Sequence, residues 1–408
     1  MENVFCKWYN TLYKEEREGY MMKKIGFLFS LFFLALILSS CRFFNREEPN
    51  TDSSNSSSMS EESKISSSFE ENSATSSSQE AASSSSSTAE EPDSIDLAAY
   101  FPDTNNQHYI YAGEGNEYAS YDEYTDYAKD NRKQIRKNNG GTEEVKVIEL
   151  EKDQIKTRLS RGEAYPRENW LDQEPGEEEG TEILLKAPLK EGTTWPVMGE
   201  RTRTITGINV SIDTPMGTYE TVEVTTEGSE DKVVDYYAPD IGLVKTVFTS
   251  DDYNVTSTLS KIETDVPLVQ TVRFYYPNAD GETLSYVDKE LAFKTNDVTK
   301  KKIETAYKEL PNDAVGSVLS DNTTILSLYL NTDGRVYVDF SKELISEMNA
   351  GSAYETLILQ SIVNTIGGYY YMNEVYLTVD GQPYSTGHIQ KEKGESFTVD
   401  TENSSEVQ

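Results

Sequence analysis

One stretch decides how the chain can be divided. From about Asn50 to Glu91 nearly half the residues are serine, with Glu, Thr and Asn among them, and runs such as Ser83 to Ser87 carry no apolar periodicity. Such a segment cannot bury enough apolar surface to offset the entropy of ordering it. It is predicted to be a flexible tether, with a short apolar run on one side and a foldable body on the other.

The run before the tether reads as an export signal. Lys23 and Lys24 form a positive start, and Ile25 to Leu38 is apolar. That run is too short for a membrane-spanning helix, which needs ~20 residues, but suits the hydrophobic core of a signal peptide. Leu38-Ser39-Ser40-Cys41 follows. It resembles the lipobox of bacterial lipoproteins, with Ser40 in place of the commoner Gly or Ala. The resemblance implies cleavage between Ser40 and Cys41, a thioether-linked diacylglycerol and a palmitate-type acyl anchor at Cys41. It also implies residence on the outer face of the cytoplasmic membrane of a Gram-positive cell. A short signal anchor, or an ordinary secreted protein cleaved at the same small residues, is the alternative. Residues 1–21 are polar and charged, awkward ahead of this signal, and are expected to be a misplaced start. The expected division is 22–40 signal peptide and 41–95 tether, then a folded body.

Charge and residue usage narrow the partners of that body. The formal net charge is −34, so phosphate backbones, which require Lys and Arg, are excluded as partners. The two cysteines, Cys6 and Cys41, both precede the body, so no disulfide framework is expected. His108 and His388 are the only histidines; a His/Cys metal site has almost no ligands to draw on, and no metal or cofactor is expected. Nucleophilic catalysis usually needs a histidine base, and neither histidine sits in a nucleophile motif. A G-x-S-x-G elbow, a phosphate-cradling glycine loop and an H-E-x-x-H helix are all missing from the sequence. No catalytic residue is assigned, and the chain is read as a non-enzyme.

Residues 96–265 read as short strands with a turn signal roughly every ten residues, which predicts an antiparallel β domain. Leu184 to Leu189, Thr202 to Ile212, Thr221 to Thr225, Val233 to Tyr237, Leu243 to Thr249 and Tyr253 to Leu259 are the clearest. Trp195, Thr214-Pro215-Met216-Gly217-Thr218-Tyr219 and Tyr237-Ala238-Pro239-Asp240-Ile241-Gly242-Leu243-Val244-Lys245 together resemble a half-barrel domain of envelope lipoproteins and LolA-like lipid carriers. That resemblance implies a lipid ligand in a concave face; the plain alternative is that these residues only fill a sheet core. Two stretches break the pattern. Tyr118, Tyr121, Tyr124 and Tyr127 recur at helix-like or turn-like spacing, and the acidic Glu168 to Gly180 reads as a solvated loop.

Residues 266–395 are predicted to order as β-β-α-β-β-α-β. Gln270 to Tyr276 and Leu284 to Lys294 are strands. Val298 to Leu310 is a helix capped by Asp297. Thr324 to Leu330 and Arg335 to Phe340 form a hairpin through Asp333-Gly334. A short helix is a candidate over Lys342 to Met348. A helix from Ser352, with Ser352 and Glu355 at capping-box spacing, should end at Gly367-Gly368. Val375 to Val379 is the last strand, and residues 396–408 are expected to be a disordered tail. Val272-Arg273-Phe274-Tyr275-Tyr276, Val336-Tyr337-Val338-Asp339-Phe340-Ser341, Ile362-Val363-Asn364-Thr365-Ile366 and Val375-Tyr376-Leu377-Thr378-Val379-Asp380-Gly381 resemble the GerMN domain of sporulation and spore-germination lipoproteins. The turn Leu310-Pro311-Asn312-Asp313 departs from the family in lacking its Gly.

The fold class expected is therefore α+β: an antiparallel β-rich, half-barrel-like domain, then a small α/β-sandwich GerMN-like domain. The GerMN resemblance implies a non-enzymatic module acting by association with an envelope protein or with itself. Asp339-Phe340-Ser341 and Asn364-Thr365 are read as strand-end and helix-capping residues rather than as chemistry.

Overall fold

The computed structural model describes residues 96–408, except 175, 177–180, 200, 251–252 and 408. Ser40, Cys41, the signal and the tether lie outside the described residues.

The first part is an up-and-down meander. Its strands are β1 (Gln107–Glu114), β2 (Tyr121–Lys129), β3 (Arg132–Asn138), β4 (Glu143–Leu150), β5 (Gln154–Gly162), β6 (Glu182–Lys186), β7 (Thr194–Val197), β8 (Arg201–Thr214), β9 (Gly217–Glu227), β10 (Asp231–Ala238), β11 (Gly242–Ser250) and β12 (Tyr253–Thr264). Each pairs with its neighbour in sequence except β6 with β7, and β1 pairs with β12, which makes one 12-stranded sheet. The sheet thus curls almost into a ring, with a gap at β6 and β7. Side chains bridge that gap: Trp195 Nε1 and Arg203 both donate to the carbonyl of Ile183, at 3.0 and 2.7 Å. Pairing the first strand with the last moves the two sheet edges to β6 and β7, where they face each other across the gap.

The inner face is apolar at one end. Ile155, Leu185, Trp195, Ile205, Val222 and Val224 are buried there under a single 3-10 turn, Leu97–Tyr100. The backbone amide of Asp240 donates to Ala99 at 2.7 Å and fixes that turn across the barrel end. Further along, the same face carries Tyr121, Glu123, Lys137, Glu144, Lys146 and Asp235.

The tyrosines at threefold spacing are on strands, not on a helix or turn. A bulge between Thr125 and Tyr127 shifts the register of β2 on β3. Tyr121 therefore faces inward while Tyr124 and Tyr127 both face outward, which disguises the twofold period. Tyr124 stacks on His108 with ring centroids 4.1 Å apart.

The second part holds two small sheets. β13 (Leu268–Pro277) and β14 (Leu284–Phe293) are antiparallel; α1 (Thr299–Lys308) follows. β15 (Ile325–Leu330) and β16 (Val336–Phe340) form the expected hairpin, with Gly334 at φ 80° in its turn. After α2 (Glu343–Ser346) and α3 (Ser352–Tyr370), β17 (Glu374–Val379) runs parallel to β16, and β18 (Gln382–Pro383) pairs with β17. One core of Val272, Phe274, Tyr307, Val338, Ile362 and Ile366 joins both sheets to both long helices. The observed class is α+β, as expected.

Four details differ from the sequence reading. The tail is ordered: β19 (Phe397–Thr398) pairs with β17, and β20 (Ser404–Glu406) runs parallel to β14. Its apolar Phe397 and Val399 pack on the core, and Asn364 pins it by bonds to the backbone of Asp400. Helix α3 continues through Gly367 and Gly368 and ends at Tyr371, which takes the left-handed conformation at φ 56°. Ser352 and Glu355 form no capping box; Glu355 is turned inward to accept from Tyr384, Thr386 and His388. Asp297 does not cap α1: the N-cap position is Val298, and the Asp297 carboxylate accepts from the amide of Lys294 instead.

Candidate functional site

The most unusual surface lies on the outer face of the β15-β16-β17 sheet. Alternation drives it. Val336, Val338 and Phe340 point into the core, each worth about 2 kcal/mol of apolar burial, so Tyr337 and Asp339 must point out. Register places Tyr329 directly opposite Tyr337, and Tyr337 directly opposite Tyr376. Three tyrosines thus form a row across three strands, with centroids 5.5 and 4.9 Å apart. Tyr329 is 43% exposed.

Arg335 lies over the row, its guanidinium 5.5 Å from the Tyr337 ring and 5.8 Å from that of Tyr376. It is held in place rather than waving free. Asp333 takes its Nη2 at 2.7 Å, and Nη1 donates to the carbonyl of Gly394 at 2.8 Å. The Tyr337 hydroxyl also donates to Asp333, at 2.9 Å. Hydrogen bonds from Arg335 hold the Asp333 carboxyl down to about 2, so it stays charged through the physiological range. Rigid, amphipathic aromatics with an ordered arginine are the residues that dominate protein interfaces.

The sheet carrying this row is fixed to the barrel by the segment after β5. Asp126 sits between two guanidiniums, Arg136 at 3.1 Å and Arg167 at 3.2 Å, with all three side chains 1% exposed. Arg167 also donates to the carbonyls of Lys294 and Asp297, and the Thr299 hydroxyl donates back to the Arg167 carbonyl at 2.6 Å. Nearby, Glu168 accepts the amide of Leu330 at 2.6 Å, which satisfies an end of the β15 edge. The sequence predicts a solvated loop at Glu168; the structure instead packs this segment through Trp170 and Leu171, and burial raises the Glu168 carboxyl. The cluster of acidic residues around it hid the apolar Trp170-Leu171 pair that carries the packing.

The remaining sequence candidates are structural here. Both ring nitrogens of His108 meet carboxylates, Asp122 at 2.8 Å and Glu263 at 3.1 Å, and His388 meets Glu355 at 2.8 Å. Asp339 accepts from Thr378 and from the amide of Gly381, tying β16 to the β17–β18 turn. Thr365 accepts from Tyr307 at 2.6 Å and from the amide of Tyr275 at 2.9 Å. Among the described residues no three His, Cys, Asp or Glu gather as a metal site, and no helix is long and apolar enough to cross a membrane. The sequence reading does not find the tyrosine row: alternation turns Tyr337 outward, but the row exists only through the registers of both neighbouring strands.

A family model, Germane, described as "Sporulation and spore germination", matches residues 273–385. The match covers the tyrosine-bearing sheet and leaves the barrel outside it. The first GerMN domain of the sporulation protein GerM from Bacillus subtilis aligns at 23% identity over 31% of this chain and 97% of that one, with a TM-score of 0.25. The tandem GerMN domains of the same protein align at 16% identity over 32% of this chain, with a TM-score of 0.24. This chain spans 46% of that tandem structure. A candidate lipoprotein from Clostridium perfringens aligns at 18% identity over 33% of this chain and 88% of its own, with a TM-score of 0.22. No curated protein matches the sequence.

Proposed function

We propose that the protein is a non-enzymatic lipoprotein, anchored through Cys41 to the outer face of the cytoplasmic membrane, whose GerMN-like domain joins an envelope protein or further copies of itself. The setting that the family match favours is sporulation or germination. The observation that carries the reading is the Tyr329–Tyr337–Tyr376 row, a preorganised aromatic face on the matched domain. Its ordering entropy is already spent, since Arg335 and Asp333 hold the ring of Tyr337 before any partner arrives. The tether of residues 41–95 would give this face reach from the membrane.

Carriage of a lipid or envelope polymer in the barrel is the other reading. Glu123, Lys137 and Asp235 on the inner face weigh against an acyl chain there, because hydrocarbon would strip water from those charges without replacing their solvation.

Photo-crosslinking in cells tests the proposal. A benzophenone side chain at position 329 is expected to yield a discrete higher-mass adduct. The same group at Met216, exposed on the barrel hairpin tip, is expected to yield none. Equal adducts from both positions, or none from 329, would contradict the reading.

A further inference from the structure

Charges of both signs line the middle of the barrel. Register sets Glu123 on β2 opposite Lys137 on β3, and Lys137 opposite Glu144 on β4. The next inward residue of β4, Lys146, reaches Glu144 at 3.1 Å, and the Ser160 hydroxyl donates to Glu144 at 2.7 Å. From β10 Asp235 enters the same space, accepting from Thr246 at 2.7 Å. Tyr111 and Tyr121 stack at 4.3 Å against this group.

Two members of the group stand apart from the rest. The Glu123 carboxylate accepts no hydrogen bond from any described residue. The Lys137 ammonium donates none, and its Nζ lies 3.6 Å from the centre of the Tyr121 ring. Both remain partly accessible although they sit deep among other side chains. Burial raises the Glu123 acid and lowers the Lys137 ammonium, and the attraction of nearby opposite charges offsets that cost only in part. Directly opposed residues of opposite sign would ordinarily close on each other. Here they are held open, with a carboxylate lacking donors on one strand and an ammonium lacking acceptors on the next.

We propose that this lumen binds a small zwitterion, an amino acid or short peptide, with its ammonium group on Glu123 and its carboxylate on Lys137. A lone anion would meet Glu123, Glu144 and Asp235; a lone cation would meet Lys137 and Lys146. Only a ligand bearing both charges satisfies the two unpartnered groups together. The stacked Tyr111 and Tyr121 give the remainder of the ligand an aromatic wall.

Calorimetry on the full-length chain tests this, with glycine, L- and D-alanine, L-glutamate, L-lysine and alanyl-alanine as millimolar probes. At least one is expected to bind, and comparison of the free amino acids with the dipeptide separates those two sources. Glu123→Gln and Lys137→Met should each weaken binding by about tenfold or more, the scale of a lost charge-assisted hydrogen bond. N-acetylglycine and glycinamide, each lacking one charge, should bind the unmodified chain correspondingly less than glycine if glycine binds. The same capping of alanine is the arm to use if alanine binds. Absence of binding by every probe would overturn the proposal. So would binding that both variants retain, or capped and uncapped ligands binding alike; this last comparison holds even if a variant fails to fold.

Discussion

Arg167 and Asp126 meet at 3.2 Å with both side chains almost wholly buried, and they join the barrel to the sheet that follows it. Arg136 shares the carboxylate from the other side. Truncating Arg167 leaves the buried Asp126 carboxylate with Arg136 as its remaining guanidinium and opens a gap where the other was. Arg167→Ala is expected to cost about 3–5 kcal/mol, and also to uncouple the two parts, because the bonds to Lys294 and Asp297 go with it. Urea unfolding followed by tyrosine fluorescence should change from one transition to two. A single transition displaced by under about 1 kcal/mol, the scale of an exposed pair, would contradict the buried joint.

Lys133 gives an alkaline signature. Burial pushes its ammonium down to about 8, with Phe101 beneath it and the Pro102 carbonyl at 3.2 Å. Between pH 8 and the ordinary lysine value of 10.5, the unfolded chain binds a proton there that the folded chain does not. Stability contributed by this site must therefore rise with pH from about 8. The rise is opposed above about pH 10, where buried tyrosines such as Tyr109, pushed up to about 12 by burial, keep protons that the unfolded chain sheds. Melting temperature against pH should show an upward slope over 8 to 10 that Lys133→Met flattens. An unchanged slope in that variant would assign the effect elsewhere.

Gly367 and Gly368 separate two reasons for glycine in a helix. A Cβ at Gly367 would lie 2.3 Å from Val399 and 2.8 Å from the carbonyl of Met372, whereas one at Gly368 meets nothing within 4 Å. Alanine normally gains ~1 kcal/mol over glycine inside a helix. Gly368→Ala is expected to stabilise by up to that amount. Gly367→Ala is expected to destabilise, because the ordered tail must move. Denaturant midpoints of the pair decide it, and stabilisation by both would mean that residues 397–399 do not pack there.

What sequence could and could not show follows from the length scale of each signal. The hairpin at Asp333-Gly334 and the strand Val375 to Val379 were legible because alternation and turn chemistry are local. So was the GerMN resemblance, carried by four such segments. The run Tyr121 to Tyr127 was not legible, since a single bulge converts a twofold period into an apparent threefold one. Glu168 looked solvated because its partner, the amide of Leu330, is 162 residues away. The tail failed for the same reason: strands of two and three residues have no signature apart from the sheet that receives them. The tyrosine row needed both neighbouring registers, one of them parallel and set by a helix crossover.

The central claim is that the tyrosine face assembles the protein with a partner or with itself. Native mass spectrometry of the full-length lipoprotein, gently extracted from its own membrane, addresses it most directly. The account predicts a multiple of the subunit mass, or a co-purifying protein. That species should vanish in a Tyr337→Ser, Tyr376→Ser double variant whose circular dichroism matches the unmodified chain. A bare monomer from the unmodified chain, or an assembly that the double variant leaves intact, would contradict it.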